Sequence, residues 1–260
     1  MPRLRLTLEY DGTDYHGWQR QASAATIQGV LEAAITRISG ERAAVSGAGR
    51  TDAGVHAEAQ VAHVEIRSAL DPHTWHRALN AVLPEDVKIL AVEHAPAGFH
   101  ARFSAVGKRY RYRLLNRPTP SPLERRTSWH VPRPLNLAAM RRAAAALLGR
   151  HDFRAFEGAD PTHGDARDTV CTLARCAIRR QDQIVALEFE GDRFLKYMVR
   201  NIVGTLVEIG LGRRPAGGMA EVLASGDRRL AGITAPAHGL TLVEVYYPRP
   251  RHKRPRSRRT

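Results

Sequence analysis

The sequence predicts an α+β protein of two related halves, each a mostly antiparallel sheet with helices on one face, the two meeting at a cleft. Three observations lead there. Short runs alternate apolar and polar residues with a period of two, the signature of half-buried strands. Between them lie stretches with apolar residues at helical spacing, opened by capping residues. The order strand, helix, strand, strand, helix, strand runs through the first hundred residues, and strands and helices alternate again afterwards, without a literal repeat. A chain of 260 residues is long enough for two such units. The divisions read as 1–105, 106–248 and a basic tail, 249–260.

The first strand is Arg3 to Tyr10, where Leu4, Leu6, Leu8 and Tyr10 alternate with Arg5, Thr7 and Glu9. A polar loop, Asp11 to Gln21, is rich in aromatics and amides. Thr26 opens a helix with Ile27, Val30, Leu31, Ala34, Ile35 and Ile38 on its apolar face, stopped near Gly40. A glycine-rich stretch, Gly47 to His56, leads to a strand from Ala59 to Ile66. Asp71 followed by Pro72 is a helix start, with Trp75, Leu79 and Val82 facing inward. Val87 to Glu93 is the last strand of this half.

Phe99-His100-Ala101-Arg102-Phe103-Ser104-Ala105 links the halves. The strand Lys108 to Leu114 alternates strictly, so Tyr110 and Tyr112 share one face and Arg109, Arg111 and Arg113 the other. Five prolines between Pro118 and Pro134 mark an extended connection. Asn136 caps a helix carrying Leu137, Met140, Ala144 and Leu147 inward, expected to end at Gly149. Gly158 to Asp168 reads as a mobile loop, followed by strands at Val170–Arg179 and Ile184–Glu190. A helix is expected from Leu195 to Gly210, then two short helices and a final strand, Leu240 to Tyr247.

The net charge of +14 points to a polyanionic partner, most simply nucleic acid. The last twelve residues carry seven Lys/Arg and no acid, which leaves +7 on the body. The excess is therefore not confined to the tail, which reads as disordered and able to attract phosphates non-specifically. Two cysteines, Cys171 and Cys176, form neither a disulfide framework nor a zinc-binding pattern; free thiols in a reducing cytoplasm fit them better. No signal peptide is read at the start, and no apolar run approaches the length of a membrane span.

The candidate chemistry centres on Gly47-Ala48-Gly49-Arg50-Thr51-Asp52-Ala53-Gly54-Val55-His56. It resembles the dinucleotide fingerprint only in part: the sixth position is Asp52 instead of glycine, and the segment after it reads as extended chain, not as a helix N-terminus. Two readings stand on this motif alone. One is a reactive carboxylate held ionised by Arg50, in a loop whose glycines permit close approach. The other is a tight turn with a surface Arg–Asp pair of little energetic consequence. Arg200 is a second candidate, because Met198, Val199, Ile202 and Val203 surround it and a buried guanidinium needs a partner; an arginine snorkelling to water is the alternative. Tyr110 is a third, either core or a platform for a nucleobase. The neighbouring arginines would make its phenol easier to deprotonate. Histidines are plentiful in the first half, but none has metalloprotease spacing, and no serine or cysteine carries a nucleophile signature.

Five motifs carry a resemblance. Tyr10-Asp11-Gly12 with Gly17-Trp18-Gln19, Ala48 to His56, Phe99-His100-Ala101-Arg102, Arg109-Tyr110-Arg111-Tyr112 and Met198 to Gly204 resemble, in order, the motifs of the TruA family of tRNA pseudouridine synthases, across Leu4 to Pro248. The resemblance implies a catalytic aspartate at Asp52, its preceding arginine at Arg50, a base-stacking tyrosine at Tyr110 and a carboxylate-pairing arginine at Arg200. It also implies two α+β domains around a basic active-site cleft, a homodimer, and no cofactor or metal. The implied reaction is isomerisation of uridine to pseudouridine in the anticodon arm of tRNA, at positions 38, 39 and 40. A non-catalytic RNA-binding module would explain the charge and the tyrosines but give Asp52 no purpose. A metal-dependent nuclease would need clustered carboxylates.

Overall fold

The computed structural model describes residues 2–158 and 168–248. The loop expected at Gly158–Asp168 lies, but for its two end residues, outside the described residues, as does the tail 249–260.

The first half runs β1 (Arg3–Tyr10), α1 (Ile27–Ser39), β2 (Val45–Gly47), β3 (His56–Glu65), α2 (Pro72–Val82) and β4 (Val87–His94). In β1 the alternation does what it predicts: Leu4, Leu6, Leu8 and Tyr10 are buried, and Arg3, Arg5 and Thr7 only half-buried. Each such leucine contributes roughly 1.5–3 kcal/mol by leaving water. Helix α1 begins where Thr26 accepts the Gly29 amide at 3.3 Å and ends at Gly40, whose left-handed backbone returns its N–H to Thr36. Asp71 caps α2 by accepting from the amides of His73 and Thr74, with Pro72 at the first helical position.

The second half runs β5 (Gly107–Leu115), β6 (Trp129–His130), α3 (Leu137–Ala145), β7 (Gly149–Asp152), β8 (Val170–Gln181), β9 (Ile184–Gly191), α4 (Met198–Gly210), α5 (Gly218–Ser225) and β10 (Leu240–Tyr246). Helix α4 is apolar almost all round and correspondingly buried, packed on α3 and on the short 3₁₀ turn Arg154–Phe156.

The two sets of strands join in one sheet, ordered β4-β1-β3-β10-β5-β9-β8-β7, with β2 added to β3 and β6 to β5. Pairing is antiparallel except at β5–β6 and at β10–β3, where Thr241 and Leu242 face His56 and Ala57. The last strand in sequence therefore sits in the middle, between the halves.

Three boundaries shift from the sequence reading for a physical reason, and three short strands are added to it. Strand β3 starts at His56 and not Ala59, because Ala57 already pairs with Tyr10. Helix α3 stops at Ala145; its last turn tightens, and Gly149 opens β7 instead of closing the helix. Helix α4 starts at Met198 and not Leu195, because Tyr197 takes a left-handed conformation (φ +60°) that no helix can include. The short strands β2, β6 and β7 carry too few residues for a period-two signal. Among the described residues no helix is long and apolar enough to cross a membrane.

Candidate active site

Asp52 lies in the loop between β2 and β3, and that loop is shaped by the polar loop after β1. The Trp18 amide donates to Thr51 O (3.0 Å), the Gly54 amide to Tyr15 O (3.2 Å), and the Tyr10 and Thr51 hydroxyls are 2.8 Å apart. The Val55 amide donates to Asp52 O at 3.1 Å and closes the turn. Contact between the two loops is so close that glycine is required: a Cβ on Gly12 would stand 2.0 Å from Val55 O, and one on Gly17 2.5 Å from Thr51 O. Gly17 also has φ +83°. Gly12 and Gly17 thus let the first loop press onto the backbone that carries the carboxylate.

His56 ties the end of the loop to the second half. Its Nδ1 accepts the Gly12 amide (3.0 Å) and its Nε2 donates to Arg126 O (2.7 Å), with His238 O at 3.2 Å. Asp11 Oδ1 is 3.1 Å from the same Nδ1.

From the far side comes Arg200, in the first turn of α4. Its Nη1 donates to Asp52 Oδ2 at 3.2 Å, and its Nε to Ala235 O at 2.8 Å. The guanidinium also sits 4.9 Å from the centre of the Tyr197 ring. Asp52 is 24% and Arg200 15% exposed in side-chain terms, so the pair is largely withdrawn from water yet open on one side. Burial raises the Asp52 carboxyl above the usual aspartate range, and the Arg200 charge and hydrogen bond, with Lys196 nearby, offset only part of that rise. Its apolar surroundings require a partner for Arg200; Asp52, 148 positions away, is that partner.

Arg50 does not fill that place. It is exposed, and its Nε donates to Gln19 Oε1 at 3.1 Å. Neighbours in a tight turn point apart, and the Gly17-Trp18-Gln19 loop supplies the amide that catches the arginine.

Tyr110 and Tyr112 are both buried, which alternation alone could not decide. Tyr112 is core: it is fully enclosed and its hydroxyl donates to Pro236 O at 2.7 Å. The Tyr110 ring meets Phe194 edge-on at 5.0 Å, and among the described residues its hydroxyl has no hydrogen-bond partner. The expected easing of its deprotonation does not occur. Arg109, Arg111 and Arg113 lie on the opposite face and are neutralised by Glu244 (3.0 Å), Glu58 (2.8 Å) and Glu124 (3.0 Å). Burial dominates and pushes the phenol up, with the neighbouring Tyr10 and Asp52 charges adding to the rise.

Sequence reasoning missed the parts that hold these side chains. Tyr197 braces Arg200, and Gln19 holds Arg50. Buried Asn201 donates to Phe156 O and accepts from Arg228 and Thr234, fixing α4 against the segment that carries Ala235. A polar residue inside an apolar helical run was the available signal for Asn201. Among the described residues no group of three or more His, Cys, Asp or Glu side chains is placed to hold a metal ion.

Comparison with known proteins gives the family. The family model described as tRNA pseudouridine synthase matches residues 7–104 and 143–248. The chain is 50% identical over 248 residues to tRNA pseudouridine synthase A of Myxococcus xanthus, covering 95% of this chain and 92% of that one. It is 45% identical to the protein of that name from Acetivibrio thermocellus, covering 95% and 100%, and 48% identical to that from Methylobacterium radiotolerans, covering 95% and 98%. Both matched stretches include site residues, Asp52 in one and Arg200 in the other. The chain belongs to the tRNA pseudouridine synthase family.

Proposed function

We propose that this protein isomerises uridine to pseudouridine in tRNA, with Asp52 as the reacting carboxylate. The observation that carries the reading is the Asp52–Arg200 pair, a carboxylate and a guanidinium brought together from the two halves and open to a substrate on one side. In the reaction the C1′–N1 bond breaks, the base rotates, C5 bonds to C1′, C5 loses its proton and N1 gains one. No atom is added or lost, so no cofactor is needed. The uridine must first leave its stack, because its reacting atoms are out of reach inside one.

Asp52 acts on the freed nucleotide, as nucleophile or as base, while Arg200 fixes its orientation and favours its charged form. Tyr110 stacks on the uracil. Its raised phenol keeps its proton at neutral pH, so it acts as a proton relay beside Asp52 and not as a standing phenolate. Arg50, exposed at the rim and steadied by Gln19, supports the flipped nucleotide. The anticodon arm as target, at positions 38 to 40, the homodimer and the domain limits 1–105 and 106–248 rest on the resemblance to the TruA family. Work in the cytoplasm follows from the tRNA substrate.

The test is tritium release from C5-labelled tRNA under single-turnover conditions, with EDTA present and the RNA mapped for pseudouridine and strand breaks. Wild type should release tritium and leave the strand intact. Asp52→Asn should bind tRNA within a few-fold of wild type and release no more than a protein-free control. Turnover by Asp52→Asn would remove Asp52 from the chemistry; binding without release by wild type would make the protein an RNA-binding module.

A further inference from the structure

Strand β5 carries four basic residues in six positions, and three are neutralised. Arg109, Arg111 and Arg113 share the face away from the site, each within 3.0 Å of a glutamate oxygen. The fourth, Lys108, is on the other face, two positions from Tyr110 and so about 6.8 Å from it along the strand. Among the described residues Lys108 has no carboxylate within ion-pair distance. Its side chain lies along the Asp52 loop, with Cε and Nζ 3.1 and 3.4 Å from where a Cβ on Gly49 would stand. Gly49 thus leaves room for the ammonium to reach the position next to Arg50.

The charge acting on Lys108 is cationic too: Arg102 is exposed beside the Phe103 ring. Burial and then the Arg102 charge hold the Lys108 ammonium below the usual lysine range. A half-buried cation beside another cation, with no acid among the described residues to balance it, is unfavourable in the free protein. It becomes favourable when an anion arrives between them.

We infer that Lys108, with Arg102 beside it, forms a subsite for one RNA phosphodiester flanking the uridine that stacks on Tyr110. The inference rests on the function proposed above and adds to it the group that sets the nucleotide's backbone. The spacing fits: a base on Tyr110 and a phosphate on Lys108 are one nucleotide's reach apart on the same face of one strand. Gly49 is then part of the subsite, since any side chain there would displace the lysine.

The experiment measures affinity for an anticodon stem-loop RNA across a salt series, using wild type, Lys108→Gln and Lys108→Arg. The same RNA is made with a neutral methylphosphonate at each phosphate flanking the target uridine in turn. Lys108→Gln should bind about 3- to 10-fold more weakly, and its log–log salt slope should fall by about 0.7–0.9, the value of one phosphate contact. Lys108→Arg should keep the slope. One methylphosphonate should weaken wild type to a similar degree and leave Lys108→Gln no weaker than it already is. An unchanged slope in Lys108→Gln, an equal lysine effect on every modified RNA, or wild-type binding indifferent to all flanking methylphosphonates would each overturn the subsite. Wild-type tritium release on the unmodified RNA reports separately on the isomerase reading, so failure of one is not mistaken for failure of the other.

Discussion

Replacing Gly17 by alanine tests whether the loop after β1 really sets the Asp52 carboxylate. The new methyl would lie 2.5 Å from Thr51 O and 3.0 and 3.1 Å from backbone atoms of Asp52 and Ala53. Ordinary contact begins at 3.4 Å, so the two loops must part by about 0.9 Å. The left-handed backbone at φ +83° adds about 1–2 kcal/mol for a residue with a Cβ, and crowding adds about 1–3 kcal/mol. The expected loss of stability is therefore about 2–5 kcal/mol, read as a fall in Tm of roughly 2–4 °C per kcal/mol for a chain of this size. The kinetic effect should be larger than that of strain alone, because the displaced backbone carries Asp52. A shift of about 1 Å at a reacting group costs on the order of 10²-fold in rate. Gly40→Ala is the control. It has the same handedness (φ +73°) and nothing within 4 Å, so it should lose about 1–2 kcal/mol and keep its turnover. Thermal unfolding and single-turnover tritium release on both variants decide the matter. A Gly17→Ala protein that turns over as fast as Gly40→Ala would refute the claim that this glycine positions Asp52.

Two further outcomes are expected at the site. The ionised fraction of Asp52 falls as pH drops through its raised pKa, so the acid limb of the single-turnover rate should lie above 3.8, the ordinary aspartate value; Arg200→Gln, which removes the offsetting charge, should move that limb higher and slow the plateau. A limb at or below the ordinary value would contradict a buried reacting carboxylate. Tyr110→Phe should bind tRNA normally and turn over about 10²–10⁴-fold more slowly, because a hydroxyl with no hydrogen-bond partner among the described residues is the one offered to substrate. Tyr110→Ala should in addition lose about 1–3 kcal/mol of base stacking, measured as tRNA affinity. Near-wild-type release by Tyr110→Phe would leave the ring as a platform only.

What the sequence made legible depends on the range of the interaction. Capping at Thr26 and Asp71 and the alternation in β1 and β5 are local, and they read directly. Arg200 announced a need, since a guanidinium in an apolar helix must be paired, but its partner lies 148 positions away and spacing cannot supply that address. Arg50, by contrast, is adjacent in sequence to the Asp52 turn, and adjacency misleads because backbone direction reverses there; Gln19 catches it instead. For Tyr110 the flanking arginines were visible, while the glutamates on β3, on β10 and in the loop before β6 were not assignable to them. The chemical consequence, a phenol raised and not lowered, follows chiefly from burial of the ring, which the alternation did not reveal. The left-handed Tyr197 had no local signal: tyrosine is an unusual residue there, and tertiary packing around Arg200 holds it.

The place of β10 has a consequence for how the protein is made. The facing edges of β3 and β5 do not touch each other; apart from the short strands β2 and β6, each finds its neighbour there in β10, the last strand in sequence. Until Leu240–Tyr246 emerges, the rest of both edges stands open, with unpaired backbone groups available to any other extended chain. The contacts that close the sheet are among the most distant in sequence, and such contacts form slowly. Closure happens beside the carboxylate itself, at Thr241–His56 and His238–His56. A newly made chain truncated before residue 240 would hold its aspartate and its arginine in separate pieces. A chain without β10 is thus expected to leave the sheet unjoined and the site unassembled, and not merely to be a weaker version of the whole.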